Sequence, residues 1–190
     1  RSGGRGSESM RIVAVPTTPD PADAAFLAAL GAEPGLELDV RELRPVSELR
    51  QELDTLAPDA VLVTGSSRRG VALAGKAAHG AGLASFLRCD WNDLEKCSFF
   101  EGWQRRMAIR RFSGLLAVGK ANRRYLEQAA GKPERIFDSP NGVDVGFFER
   151  SATELRPNRK ELREVFGVAP DLFCVLFASP LESWARPLDL

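Results

Sequence analysis

The segment Ala60-Val61-Leu62-Val63-Thr64-Gly65-Ser66-Ser67-Arg68-Arg69-Gly70 sets the reading of the whole chain. Its first residues, 60–63, are an unbroken apolar run, the pattern of a strand buried on both faces. A small polar loop follows over 65–70, then an Ala/Gly-rich helix over 71–81 whose short side chains let it lie close to a sheet. Ser85-Phe86-Leu87-Arg88 gives the next strand. Strand, loop, helix and strand at one-helix spacing make a βαβ unit, which sets the two strands parallel.

The same unit recurs in both directions. Upstream, Arg11-Ile12-Val13-Ala14-Val15 reads as a buried strand. Asp20 caps and Pro21 opens a helix that carries Phe26, Leu27 and Leu30 inward and ends at Gly31. Residues 36–40 alternate apolar and acidic side chains and suit a strand near an edge. Ser47 is expected to cap a second helix bearing Leu49, Leu53 and Leu56, closed by Pro58. Downstream, an aromatic and basic helix over 98–112 leads to a strand at 114–118, a helix at 121–130 ended by Gly131, and a short strand at 135–137. The fold class is therefore α/β, a Rossmann-like doubly wound parallel sheet with helices on both faces.

With 190 residues, 44% hydrophobic and 27% charged, the chain has material for one sizeable core and a piece of a second domain. Lys+Arg and Asp+Glu are both 26, so total charge singles out no partner. Its distribution says more. Arg105, Arg106, Arg110, Arg111, Lys120, Arg123 and Arg124 face only Glu101 over 98–125, whereas acid outnumbers base over 31–60, which gives a basic side and an acidic side. Cys89, Cys97 and Cys174 lack C-x-x-C spacing and His79 is the single histidine, so no metal site and no cofactor are expected. This cysteine usage fits a reducing, cytoplasmic setting. No apolar run has membrane-spanning length. Residues 1–9 read as a loose arm or an expression remnant, with Met10 a natural start.

Ligands of a doubly wound sheet sit beyond the carboxyl ends of its strands. Pro16-Thr17-Thr18-Pro19, after the first strand, has no Gly-x-Gly-x-x-Gly, which speaks against an ordinary dinucleotide site. The loop 65–70 lacks the Gly-Lys-Ser/Thr of a nucleoside-triphosphate loop. Its backbone N–H groups, the Ser66 and Ser67 hydroxyls and Arg68 at a helix start suit an anion or a sugar; the alternative is a plain turn. Arg88, Asp90, Trp91 and Asn92 set a cation, a carboxylate, an indole and an amide just past a strand, which suits a sugar or another polar ligand. A capping and ion-pair cluster is the alternative. Cys89 is read as inert and His79 as structural, since nothing marks a catalytic pair and no catalytic residue can be named. Phe99, Phe100, Trp103 and Met107 recur at helical spacing among arginines. Two readings stay open: a basic amphipathic helix resting on anionic lipid, or core on one face with solvated arginines on the other. No aromatic platform or zinc motif accompanies the arginines, so nucleic acid is not an expected partner.

Residues 139–148, Ser-Pro-Asn-Gly-Val-Asp-Val-Gly-Phe-Phe, mark a seam. Pro140 bars further sheet pairing, Asn141 and Gly142 are expected to turn the chain through positive φ, and Phe147 and Phe148 to clip the turn to a neighbouring surface. Beyond it, Pro157 is expected to open a helix carrying Leu162, Val165 and Phe166, and residues 172–177 form the most apolar strand of all. A buried parallel strand needs neighbours. The last strand therefore reads as the start of a second domain, and is expected to join the sheet, lie in a groove of its own domain, or pair two copies of the chain. The expected organisation is an arm at 1–9, a Rossmann-like domain at 10–150, and a linker helix with the first strand of a truncated second domain at 151–190.

Residues 115–125 (Leu-Leu-Ala-Val-Gly-Lys-Ala-Asn-Arg-Arg-Tyr), 136–148 and 172–190 together resemble a glycosyltransferase of the GT-B fold. The likeness is to the large bacterial family 4, whose members join sugars from UDP- or GDP-sugars to varied acceptors, usually with retention. Val118-Gly119-Lys120-Ala121-Asn122 matches a strand and helix start of that family, and Pro140-Asn141-Gly142-Val143-Asp144 with Phe148 matches its crossing between domains. The family's glycine-rich loop after the first strand is absent here.

The resemblance implies that the first domain holds the acceptor, through Ser66, Ser67, Arg68, Arg88, Asp90, Trp91 and Asn92. It places Lys120, Asn122, Asn141, Gly142 and Arg186 on the donor side of the cleft. Where such enzymes carry Gly-Arg/Lys-Leu and a later Lys for the donor diphosphate, this chain has Ser179-Pro180-Leu181 and Ala185, with Arg186 one place along. Two lost cations remove charge-assisted hydrogen bonds of about 1.5–3 kcal/mol each. The implied function is sugar transfer by a parent protein, with this chain inactive alone. The alternative is a degenerate, non-catalytic module for binding or assembly. A membrane-associated placement on the cytoplasmic face, through the helix at 98–112, belongs to the same set of expectations.

Overall fold

Alternating strands and helices build a single parallel sheet. In the computed structural model, which describes residues 9–93 and 97–178, the strands are β1 Met10–Pro16, β2 Leu36–Val40, β3 Ala60–Thr64, β4 Ala84–Cys89, β5 Gly114–Ala117 and β6 Ile136–Asp138. Their order is β2-β1-β3-β4-β5-β6, and every pairing is parallel. The connecting helices are α1 Pro21–Gly31, α2 Val46–Leu56, α3 Arg68–Gly80, α4 Phe99–Ile109 and α5 Lys120–Ala130. The sheet reverses its direction of growth at β1/β3, so the carboxyl ends of those two strands form the topological switch point.

Side-chain alternation sorts the core into two unequal layers. Val13, Val15, Val61, Val63, Leu87 and Leu115 point to one face, against Leu49 and Leu53 of α2, Val71 and Ala74 of α3, Ile109 of α4 and Leu126 of α5. Ala14 and Leu62 point to the other, where α1 brings Leu27, with Phe26, Leu30, Phe86 and Leu116 partly buried beside them. One helix thus covers what four cover opposite. The slack is visible at the far edge, where Phe137 of β6 remains 52% exposed.

Local capping follows the sequence in part. Asp20 Oδ1 accepts the Ala22 N–H at 2.7 Å and Pro21 takes the first turn of α1. Gly131 ends α5 at φ +66°. Two expectations are corrected. The third helix starts at Arg68, not at 71, because the Ser67 hydroxyl accepts the Gly70 N–H at 3.2 Å and caps it. The second starts at Val46 with Pro45 ahead of it and no side-chain cap, so Ser47 lies inside the first turn. In α4 a capping box closes the end: Ser98 Oγ accepts from Glu101 N at 3.3 Å, and Glu101 accepts from Ser98 N at 3.0 Å.

The chain divides into two compact units, Arg1–Val143 and Asp144–Leu190. Among its described residues the second has two helices, α6 Val145–Leu155 and α7 Arg159–Val165, joined by a tight 3₁₀ turn that contains Pro157. Asp144 caps α6, its Oδ1 accepting from Phe147 N at 2.8 Å. Phe147 and Phe148 therefore stand in the first turn of a helix, edge to face at 5.4 Å. The expected turn through positive φ at Asn141-Gly142 is absent, since neither residue has positive φ. Residues 172–177 form no strand. Arg163 takes the Leu172 carbonyl at 2.6 Å and the Ala169 carbonyl at 3.2 Å, occupying acceptors that a sheet neighbour would need. Cys174 and Leu176 instead line an apolar groove of about 660 Å³ with Leu155, Leu162, Phe166 and Val168 of the same unit.

The thiols separate cleanly by burial. Cys89 is buried and its thiol is pushed up to about 12, burial being the main cause, whereas Cys97 and Cys174 are exposed. A thiol titration of the native chain is expected to modify two of the three cysteines, with the third released only by denaturant. Three fast thiols in the native chain would contradict this core.

Candidate functional site

The carboxyl ends of β1, β3, β4, β5 and β6 carry a continuous lacework of polar groups. At the switch point, Thr17 donates twice to the Thr64 carbonyl, from N at 2.8 Å and from Oγ1 at 2.9 Å. Ser66 N donates to Thr18 Oγ1 at 3.3 Å, and Gly65 N to the Arg88 carbonyl at 3.1 Å. Gly65 is demanded twice over: its φ is +96°, and a Cβ there would sit 2.4 Å from Thr18 Oγ1. The Trp91 indole N–H donates to the Ser66 carbonyl at 2.9 Å. Asn122 then accepts from Val118 N at 3.0 Å and donates to the Trp91 carbonyl at 2.6 Å, tying the loops after β4 and β5.

Beneath this edge lies a buried cation. Arg88, 2% exposed on β4, points to the α1 face and pairs there with Asp23, itself 6% exposed in the first turn of α1. The same guanidinium donates to Asn141 Oδ1 and, from Nε at 3.4 Å, to Ser139 Oγ, and it stacks 4.5 Å from the centre of the Phe26 ring. Burial raises the Asp23 carboxyl above its ordinary 3.8, with Arg88 pulling in the opposite direction.

The sequence-derived site residues thus split in two. Arg88, Trp91 and Asn122 are buried, with their polar atoms engaged by the protein. The Trp91 ring, fully buried with the Arg105 guanidinium 5.1 Å from its centre, offers no face for a sugar to stack on. These three are framework, because a carboxyl edge built from several loops needs internal partners to hold its shape. Asp90, Arg68, Lys120, Asn141 and Gly142 are exposed, and Ser66, Ser67 and Asn92 are half-buried. Ser66 Oγ donates to Asp90, Asn92 Nδ2 to the Asp90 carbonyl at 3.1 Å, and Arg68 to Glu101 at 2.8 Å. The hydrogen bonds from Ser98, then Arg68, hold the Glu101 carboxyl below its ordinary value. Arg186 lies outside the described residues. Among those described, no cluster of His, Cys, Asp and Glu could hold a metal ion.

Sequence reasoning passed over Thr17, Thr18, Asp23 and Ser139. Thr17 and Thr18 line an open groove of about 480 Å³ over the ends of β1 and β2, with Val40, Arg41, Glu42 and Leu43 opposite. A neighbouring groove of about 490 Å³ runs on along α1 past Asp20, Asp23 and Leu27. The Thr-Thr pair between two prolines was the available signal. Threonine hydroxyls with Arg41 and Glu42 around the first groove, and Asp20 along the second, can hydrogen-bond a polyhydroxyl ligand from several sides.

No family model matches the sequence, and no curated protein matches it. Among solved structures it is similar to Anabaena Alr3699/HepE in complex with UDP-glucose, at a TM-score of 0.61 and 16% identity over 85% of this chain and 50% of that one. It is also similar to UDP-GlcNAc 2-epimerase from Methanocaldococcus jannaschii, at 0.55 and 14% over 70% and 46%. The chain spans about half the length of these structures. The likeness lies in the fold: a Rossmann-like α/β half of the GT-B kind.

Two stability outcomes follow from the geometry. Arg88→Met leaves Asp23 buried without its cation and is expected to cost about 3–5 kcal/mol at neutral pH by chemical denaturation. The unopposed burial then raises the Asp23 carboxyl further in the folded variant than in its unfolded chain. A raised folded value favours folding at low pH and loses that support as pH climbs, so the variant's deficit shrinks as pH falls toward 3.8. A deficit independent of pH would remove the pair from this role. Gly65→Ala should cost about 1–3 kcal/mol and clearly more than Gly131→Ala, because both have positive φ but only Gly65 has neighbours within 4 Å.

Proposed function

We propose that this chain is the acceptor-side half of a glycosyltransferase that moves sugar from a UDP- or GDP-sugar to an acceptor, and that alone it binds acceptor without transferring sugar. One observation carries the reading: a GT-B-like Rossmann half presents solvent-facing Ser66, Asp90, Asn92, Lys120 and Asn141 at its carboxyl edge, over a buried framework. This is where open α/β sheets take their ligands. Nucleotide-sugar chemistry is supported from outside as well, since one structure of similar fold contains UDP-glucose and another is a UDP-GlcNAc 2-epimerase.

In this reading Asp90, held by Ser66, accepts hydrogen bonds from acceptor hydroxyls, and Asn92 positions the Asp90 backbone. Lys120, exposed at the start of α5, faces the anionic donor, and Asn141 lines the same side. Donor binding itself needs a second domain, whose diphosphate-binding cations this sequence lacks at Pro180 and Ala185. Those two residues favour a second reading, a non-catalytic binding module of the same fold.

Saturation-transfer NMR of the chain with UDP-glucose and a panel of oligosaccharides separates the outcomes. Glycan binding is expected, falling ~10- to 100-fold in Asp90→Ala, the loss of a hydrogen bond to a charged group. Release of UDP from UDP-glucose by the chain alone would overturn its inactivity, and a native chain that engages no glycan would overturn the acceptor-side assignment.

A further inference from the structure

Helix α4 has two apolar faces, and only one is used by the fold. Ala108 and Ile109, with Phe112 just beyond the helix, are buried against the sheet. At 100° per residue, positions 99, 100, 103, 106 and 107 fall together on the opposite side, and Arg110 and Arg111 follow in the turn just past the helix end. All seven are exposed: Phe99 at 94%, Phe100 at 61%, Trp103 at 52% and Met107 at 39%, together with Arg106, Arg110 and Arg111. Phe100 and Trp103 stack on each other in solvent, 6.0 Å apart at 22°. The sequence alternative that these aromatics enter the core is therefore corrected, because the core side of the helix is already filled.

Charge decides what such a face fits. It carries three arginines and no carboxylate; Arg110 also donates from Nε to the Ala129 carbonyl of α5 at 3.1 Å, which leaves Arg106 and Arg111 as its outermost cations. The helix's single acid, Glu101, lies off this face and is occupied by Ser98 and Arg68. Aromatic residues crowd the first two turns and arginines the last, so apolar anchors and cations sit side by side along one exposed line. We propose that the outward face of α4 docks the protein on an anionic lipid bilayer, with Phe99, Phe100, Trp103 and Met107 entering the interface and Arg106, Arg110 and Arg111 meeting headgroup phosphates. Trp and Phe beside arginine on a helix lying in the interface plane is the physical pattern of such anchors, and neither component holds firmly alone. The helix provides both. Among the described residues no helix is long and apolar enough to cross a membrane, so this contact is peripheral.

The inference does not rest on the proposed function. Its test is sedimentation of the chain with phosphatidylcholine vesicles, with and without about 30 mol% phosphatidylglycerol, alongside sedimentation velocity without lipid. Anionic vesicles are expected to bind the chain on the order of 100-fold more tightly than neutral ones, with the excess lost at high salt. Arg106→Gln/Arg110→Gln/Arg111→Gln should abolish that preference, and Phe99→Ser/Phe100→Ser/Trp103→Ser should weaken binding to both vesicle types, each with an unchanged circular dichroism spectrum. Equal binding to neutral and anionic vesicles, or no binding to either, would overturn the proposal. So would a dimer that the aromatic variant dissociates, since the face would then belong to a second copy.

Discussion

The pairing of Arg88 with Asp23 is the constraint around which the rest is arranged. A guanidinium 2% exposed cannot be left without acceptors, because removing it from water costs several kcal/mol before any partner is found. Its acceptors come from places far apart in sequence: Asp23 on α1, Ser139 and Asn141 beyond β6. Burial still outweighs attraction at Asp23, whose carboxyl is raised rather than lowered. A buried pair of this kind adds little net stability once desolvation is counted and acts chiefly to specify position: it fixes where α1 lies on β4 and where the chain goes after β6.

The α/β frame could be read from the sequence because its signals are local. The apolar runs at β1 and β3, the Asp20 cap and the glycine after α5 depend on neighbours within one turn or one strand. The site was only half legible, and for a definite reason. Arg88 and Trp91 sit in a stretch whose composition looks ligand-binding, yet their burial is decided by partners such as Asp23, 65 positions away. The helix at 99–109 shows the same limit differently: period identifies a face, but when both faces are apolar it does not say which one is covered. Residues 172–177 show it a third way, since strand propensity expresses a fit to neighbours that Arg163 and the nearby helices do not supply.

Framework and ligand-facing groups are cleanly divided at the carboxyl edge. Trp91 and Asn122 spend their hydrogen bonds on backbone groups, leaving the solvent-facing side to Ser66, Asp90 and Lys120. The division extends to α4 through one contact: Arg68, next to the cap of α3, reaches Glu101 in the first turn of α4. The aromatic end of the outward face is therefore tied to the end of the sheet that carries the polar groups. Whatever α4 rests on lies close to the loop that holds Ser66.

The same guanidinium has a mechanical meaning. Helix α1 walls a groove through Asp20, Asp23 and Leu27, at the β1/β2 end of the sheet, while Asn141 stands past β6 at the other. They share one rigid, forked side chain. An occupant that wedges α1 outward must either drag the Asn141 backbone with it or tear both from Arg88. The last residues before the first unit ends thus feel, through a single lever, what fills a groove four strands away.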